Sequence, residues 1–240
     1  MAPSNPKQPQ VAIVDYGMGN LFSVRHACQY VGLEASITSS QQEIVSADAV
    51  ILPGVGAFGD AMEALRRFDL TSPLKDVAAS SKPLLGICLG MQLFMSESVE
   101  FGRHSGLGII PGTVVRLENA LGANGVLKVP HVCWNRLNRA AGAEDLWEGS
   151  LLSWLLDGVF MYFVHSFQVK PEDANVVIAT TSYGIIEFCS AISYGNIFAC
   201  QCHPERSGPE GLKVYSNLAS LLRVSKSCEE SKTNAQSENH

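Results

Sequence analysis

The sequence predicts an α/β fold: a mostly parallel central sheet flanked by helices, with an added antiparallel portion in the second half. Three observations carry this. From Val11 to Leu93, apolar strand-like runs alternate with segments of helical periodicity, a pattern that implies right-handed crossovers and a parallel sheet covered on both faces. Around Pro83 to Gln92, the apolar run Leu84 to Ile87 enters a Gly-x-Cys-x-Gly pentad and leaves through apolar residues at helical spacing. That is a strand, a sharp turn and a helix. From Gly102 onward, glycines at 106, 108, 112, 122 and 125 punctuate short strands such as Thr113 to Leu117, so antiparallel pieces replace the crossovers.

In order, Val11 to Tyr16 is a buried strand. Gly17 to Asn20 turns it into a helix whose apolar residues Leu21, Val24, Cys28 and Val31 share a face and which Gly32 ends. Glu34 to Thr38 is a second strand, Ser40 with Glu43 has capping-box spacing for a short helix, and Ala49 to Leu52 is a third strand. Ala57 to Phe68 and Ser72 to Ala79 are helices, the latter with Ser72 as cap and Pro73 at its first position. Gly195-Asn196, between Ala191 to Tyr194 and Ile197 to Gln201, signals a two-residue hairpin. Pro209 opens a last helix with Val214, Leu218, Leu221 and Leu222 on one face.

The 240 residues suit one domain. We place a flexible leader at 1–10, the folded domain at 11–224, and a disordered polar tail at 225–240, which is rich in Ser, Glu, Lys, Asn and Gln. Net charge is -6 with 17% charged residues, so no basic face advertises a nucleic acid, and small molecules or proteins are the expected partners. The most apolar segment, Leu151 to Val164, is interrupted by Asp157 and Gly158 and is too short to span a membrane. Seven cysteines form an odd count without framework spacing, which reads as reduced thiols in the cytoplasm. Cys200, Cys202 and His203 invite a metal reading, but no second ligand pair at zinc spacing appears, and neither metal nor cofactor is expected.

Chemistry concentrates at two places. Gly86 and Gly90 let strand and helix backbones approach closely and leave Cys88 at the strained tip, where the helix starting at Leu89 favours the thiolate and its N–H groups can hold an oxyanion. His203 and Glu205, two apart in an extended segment, project together, and a carboxylate beside an imidazole fixes its tautomer and raises its basicity. Cys, His and carboxylate complete a set of nucleophile, base and orienter. His26, His104, His131 and His165 have no such neighbour, and His165 reads as a core or interface histidine. Pro53 to Gly59 holds three glycines in seven residues at a strand end, and reads either as backbone that faces a ligand or as a plain connection.

Gly86-Ile-Cys-Leu-Gly-Met-Gln92 with His203-Pro-Glu205 resembles the class I, triad-type glutamine amidotransferases. More narrowly, five further motifs resemble the glutaminase subunits of imidazole glycerol phosphate synthases over residues 11 to 222. They are Asp15 to Asn20, Pro53 to Gly59, Val129 to Asn135, Tyr162 to Ser166 and Gln201 to Gly208. The resemblance implies Cys88 as nucleophile, His203 as base and Glu205 as orienter. It implies an oxyanion site at Val55, Gly56 and Leu89, with the Val55 peptide flipping when a partner is productively bound. It implies glutamine binding by Gly54, Gln92, Glu100, Ser166 and Phe167. A partner face at Asn20, Trp134, Tyr162 and Arg206 is implied too. L-glutamine would be the substrate, and a (β/α)8 cyclase of histidine biosynthesis would receive the ammonia. Cys133 stands where Gly is usual, Cys202 where Phe is usual and Arg206 where Lys is usual, and the last bears on a salt bridge to the partner. Two other readings are a glutaminase serving another synthase, such as the pyridoxal phosphate one, and a catalytically silent binding subunit. The Asp15 to Asn20 and Val129 to Asn135 motifs oppose the former, and the intact triad opposes the latter.

Overall fold

The computed structural model describes residues 8–118, 121–122, 125–143 and 145–237, so most of the expected leader lies outside the described residues. The first half runs β1 (Gln10–Val14), α1 (Leu21–Tyr30), β2 (Glu34–Thr38), α2 (Gln41–Ser46), β3 (Ala49–Gly54), α3 (Phe58–Arg67), α4 (Thr71–Ala78), β4 (Leu84–Cys88) and α5 (Leu89–Leu93). The second half adds β5 (Met95–Ser98), β6 (His104–Ser105), β7 (Ile110–Arg116), β8 (Leu121–Gly122), β9 (Gly125–Val126) and β10 (His131–Arg139). It continues with β11 (Val159–His165), β12 (Phe167–Pro171), β13 (Val177–Tyr183), β14 (Ile186–Tyr194), β15 (Ile197–Cys200) and α6 (Gly208–Ser237).

Nine strands form one sheet in the order β11-β10-β13-β14-β15-β4-β3-β1-β2. From β15 to β2 every pairing is parallel, and from β11 to β15 every pairing is antiparallel. The central strands β3 and β4 are buried at every residue, as strands covered on both faces must be. Their side chains alternate between two cores. Val11, Ile13, Ile51, Leu85 and Ile87 pack with residues of α1 and α6, whereas Ala12, Val14, Val50, Leu52 and Leu84 pack with α2, α3, α4 and α5. A smaller sheet, β12-β7-β5-β6, flanks this one.

The expected hairpin at Gly195-Asn196 joins β14 to β15, and Ser40 accepts a hydrogen bond from Glu43 N at the start of α2. Two details differ. Helix α4 begins at Thr71 rather than after Ser72, because the fully buried Leu70, whose N–H bonds Leu65 O, sets its start; Pro73 is therefore its third residue. In α6 the buried stripe is Val214, Tyr215, Leu218, Ala219 and Leu222, while Leu221 lies off it and is exposed. The backbone of α6 continues to Ser237, beyond the apolar stripe. The tail's Glu, Lys, Gln and Ala are compatible with helix, so nothing in the chain interrupts it. Among the described residues no helix is long and apolar enough to cross a membrane.

Candidate active site

Cys88 ends the central strand β4 with φ 55° and ψ −107°, a conformation that non-glycine residues rarely adopt. The neighbouring glycines make it possible. A Cβ on Gly90 would stand 1.8 Å from Leu52 O, and one on Gly86 would stand 2.5 Å from the Phe94 ring. Helix and strands thus approach to a distance that only glycine permits. Because α5 has five residues and no side-chain cap, its influence at the sulfur comes from first-turn N–H groups and not from a long helix dipole.

His203 follows β15, beside β4. The segment after it is a 3₁₀ turn, Pro204–Arg206, and not the extended chain expected from sequence. Proline at the first position favours the turn, which still brings His203 Nδ1 to 2.8 Å from Glu205 Oε1, with the two side chains 3% and 1% exposed. The backbone is pinned: His203 N donates to Tyr162 O at 2.9 Å, and Ser207 Oγ donates to His203 O at 2.7 Å while accepting from Tyr162 N at 2.9 Å. Burial opposes a charged ring, but the Cys88 sulfur and the Glu205 carboxylate outweigh it and push His203 up to about 11. Its Nε2 is buried and has no aligned hydrogen-bond partner, although the Cys88 sulfur is close enough to favour the charged ring; poorly aligned catalytic hydrogen bonds are common in free enzymes. The arrangement can hold an imidazolium beside a thiolate and return the proton later.

Asn20 is the N-cap residue of α1, yet its side chain makes no cap and donates instead to Glu205 Oε1 at 3.4 Å. It was expected on a partner face and here touches the orienting carboxylate. Trp134, Tyr162 and Arg206 do form one surface group. Trp134 and Tyr162 face each other across β10 and β11 with ring centroids 6.2 Å apart, and the Arg206 guanidinium lies 4.6 Å over the Tyr162 ring. The Tyr162 ring is 6.4 Å from that of His203.

A pocket of about 240 Å³ opens over Cys88 and gathers Val55, Gly56, Leu89, Gln92, Glu100, Ser166 and Phe167 from four separate stretches of chain. A larger hollow of about 660 Å³ by Trp147 and Trp154 contains no cysteine or histidine, so size does not identify the site. Gly54 lies behind the pocket wall, opposite Cys88 in the β3–β4 register, and a Cβ there would be 2.4 Å from the Tyr16 hydroxyl. That hydroxyl donates to Pro53 O at 2.9 Å and holds the strand leading to Val55 and to Gly56, whose φ is 103°. Glu100 accepts from Phe58 N at 2.6 Å, and burial pushes its carboxyl up against the effect of that bond. Gln92 already donates to Phe167 O at 3.1 Å and to Gln201 Oε1 at 3.0 Å, leaving only its own oxygen for a ligand.

Sequence reasoning missed Gln201, which donates to Cys88 Sγ at 3.6 Å, and the contact between His131 and His165, which are 2.9 Å apart. Gln201 sits two residues before His203 on an alternating strand end, a signal that was available. The histidine contact has no local signal.

A strained cysteine elbow, a buried His–Glu pair and a pocket over the sulfur define a glutaminase-type site. The chain belongs to the class-I glutamine amidotransferase family, whose description matches residues 12–220. Within that class its similarity is to proteins named imidazole glycerol phosphate synthase subunit HisH. It is 45% identical to that of Geobacter metallireducens over 87% of this chain and 97% of the relative. To that of Rhodopirellula baltica it is 46% identical over 87% and 96%. Among solved structures, PurLQS from Thermotoga maritima superposes with a TM-score of 0.68 at 18% identity, over 90% of this chain and 100% of that one. A structure described as a glutamine amidotransferase gives 0.65 at 20% identity, over 88% and 98%. These likenesses show the same fold.

Proposed function

We infer that the chain hydrolyses L-glutamine to glutamate and ammonia through a cysteinyl thioester, as the glutaminase subunit of an imidazole glycerol phosphate synthase in histidine biosynthesis. The observation that carries this is His203, hydrogen-bonded to Glu205 at 2.8 Å and acting on Cys88 at the floor of the pocket. The Cys88 thiolate attacks the side-chain amide carbon, and the oxyanion is received by N–H groups around Val55, Gly56 and Leu89. As the C–N bond breaks, the imidazolium of His203 gives its proton to the leaving nitrogen, which departs as ammonia. Neutral His203 then takes a proton from water, the hydroxide attacks the thioester, and cleavage of the C–S bond restores thiolate and imidazolium. Glu205 keeps Nδ1 protonated throughout, so only Nε2 exchanges protons.

Glutamine is held by Gln92, Glu100, Ser166 and Phe167, with Gly54 shaping the wall behind them. Ammonia passes to a (β/α)8 cyclase docked on Trp134, Tyr162 and Arg206, with Asn20 at the rim. Support comes from the name carried by the relatives at 45% and 46% identity and from the contact of that surface group with the His203 ring. The expected setting is a cytoplasmic heterodimer, consistent with the free cysteines at 28, 88, 133, 189, 200 and 202, and residues 11–224 form its catalytic unit. The test is to combine the purified chain with an imidazole glycerol phosphate cyclase and assay glutamate and product. Glutamine should then support product formation. Product from ammonium salts but none from glutamine would refute the reading.

A further inference from the structure

His131 is buried completely, does not line the pocket and has no place in the mechanism above. It belongs to a run of hydrogen bonds whose direction is fixed at several points by backbone carbonyls, which only accept. Asn135 Nδ2 donates to Ser182 O at 2.9 Å and to His131 Nε2 at 3.2 Å, while Asn135 Oδ1 accepts from Arg136 N at 2.8 Å. His131 therefore accepts at Nε2 and carries its proton on Nδ1, 2.9 Å from His165 Nε2. His165 must in turn carry its proton on Nδ1, which faces Phe167 O at 2.8 Å. The same carbonyl accepts from Gln92 Nε2 at 3.1 Å, and the second hydrogen of that amide goes to Gln201 Oε1 at 3.0 Å. Gln201 is thereby turned with its NH₂ toward Cys88 Sγ, 3.6 Å away. A flipped Gln201 would set donor against donor at Gln92 and an oxygen against the sulfur.

We propose that His131 is a positioning residue for the hydrolysis of glutamine: through His165, the Phe167 carbonyl and Gln92, it aims the Gln201 amide at the Cys88 sulfur. The proposal rests on the glutaminase reading. Its physical basis is that each link has one acceptor-only or fully occupied neighbour, so removing the Nδ1–H donor leaves a buried His165 Nε2 unsatisfied. His165 is then free to move its proton to Nε2 and abandon the Phe167 carbonyl, on which Gln92 and through it Gln201 depend. Both imidazoles are held neutral by burial, His131 down to about 4 and His165 down to about 3, which keeps one acceptor nitrogen on each ring at working pH.

The test compares His131→Phe with His131→Asn in the full chain assembled with its cyclase. The side-chain NH₂ of Asn can sit where Nδ1–H sat, whereas Phe supplies no donor. His131→Phe should lower kcat for glutamine hydrolysis on the order of 10²-fold, the typical cost of a small misplacement at a reacting centre. KM should change little and His131→Asn should recover most of the loss. Alkylation of Cys88 by iodoacetamide in the isolated chain, which needs no partner, should rank wild type and Asn above Phe. Gln201→Met, which keeps the volume but removes the donor at the sulfur, should show the same slow alkylation even if His131→Phe does not fold. Equal kcat and alkylation for Phe and Asn, or Gln201→Met behaving as wild type, would overturn the proposal. A wild-type complex that did not hydrolyse glutamine would instead defeat the glutaminase reading and contradict this proposal with it.

Discussion

The molecule buries histidines in two neighbouring places, and they differ in charge: one is a cation and two are neutral. His203, 3% exposed, is pushed up to about 11, whereas His131 and His165, 0% and 6% exposed, are pushed down to about 4 and about 3. Burial acts against the imidazolium in all three. The difference is the company: His203 has the Glu205 carboxylate and the Cys88 sulfur, while the other two have each other, Phe167 O and an Asn amide. Depth of burial therefore does not decide protonation, and an anion at hydrogen-bond distance does. On the proposed function, roles divide along the same line, with a proton carrier on one side and a neutral positioning pair on the other.

The largest expected effect comes from removing the sulfur beside His203. Cys88→Ala should abolish glutamine hydrolysis, by on the order of 10⁶ by analogy with a serine nucleophile, while circular dichroism shows an intact fold. More than a tenth of wild-type turnover would sink the elbow assignment. His203→Ala should follow, and Glu205→Gln should cost less than His203→Ala, because geometry can partly replace an orienter but nothing replaces the base. Both should leave glutamine affinity nearly unchanged in calorimetry. Equal loss of binding would mean that these two residues shape the pocket instead.

A third test addresses the surface beside His203. The strand from Pro53 to Gly56 is held by the Tyr16 hydroxyl, and Gly56 has the positive φ that lets a peptide rotate cheaply. Aligning one oxyanion donor is worth about 10² to 10³ in rate, so the chain alone should be slow and the cyclase should stimulate it strongly. Trp134→Ala or Arg206→Glu should weaken that stimulation more than the basal rate. Full activity in the partner-free chain would remove the gating idea and leave the triad standing.

The smallest effect concerns stability. Since the folded-state values of His131 and His165 lie below that of a free imidazole, the unfolded chain takes up protons first as pH falls below about 6.5. Both histidines therefore destabilise the fold progressively from there down to about 4 and about 3. For His131 the loss at pH 5 is about 2 kcal/mol, and His131→Asn should flatten the fall in urea-unfolding stability between pH 7.5 and pH 5 by about that amount. An unchanged slope would mean that His131 titrates normally. His203 has the opposite sign: its contribution is complete below about 6.5 and is lost as pH rises toward about 11.

The sequence made the charged site legible and hid the neutral one, for a physical reason. Gly86 is required by contacts with Met91 and Phe94 of the same strand-turn-helix, and His203 with Glu205 lies within a single turn, so both leave short-range signatures, whereas Gly90 is required by Leu52 of the neighbouring strand β3. His131 and His165 meet only because β10 and β11 pair antiparallel in the register that sets them opposite each other. Nothing local encodes that register. The same holds for Asn20, which was expected on a partner face and reaches Glu205 from 185 residues away. At α4 the expected cap yielded to Leu70, whose burial is a tertiary fact.

The contrast itself can be read directly by ¹⁵N NMR of the imidazole nitrogens in the full chain at pH 7.5. The account predicts His203 protonated on both nitrogens, and His131 and His165 neutral with the proton on Nδ1 and an unprotonated Nε2. A neutral His203, or a proton on Nε2 of either His131 or His165, would contradict it.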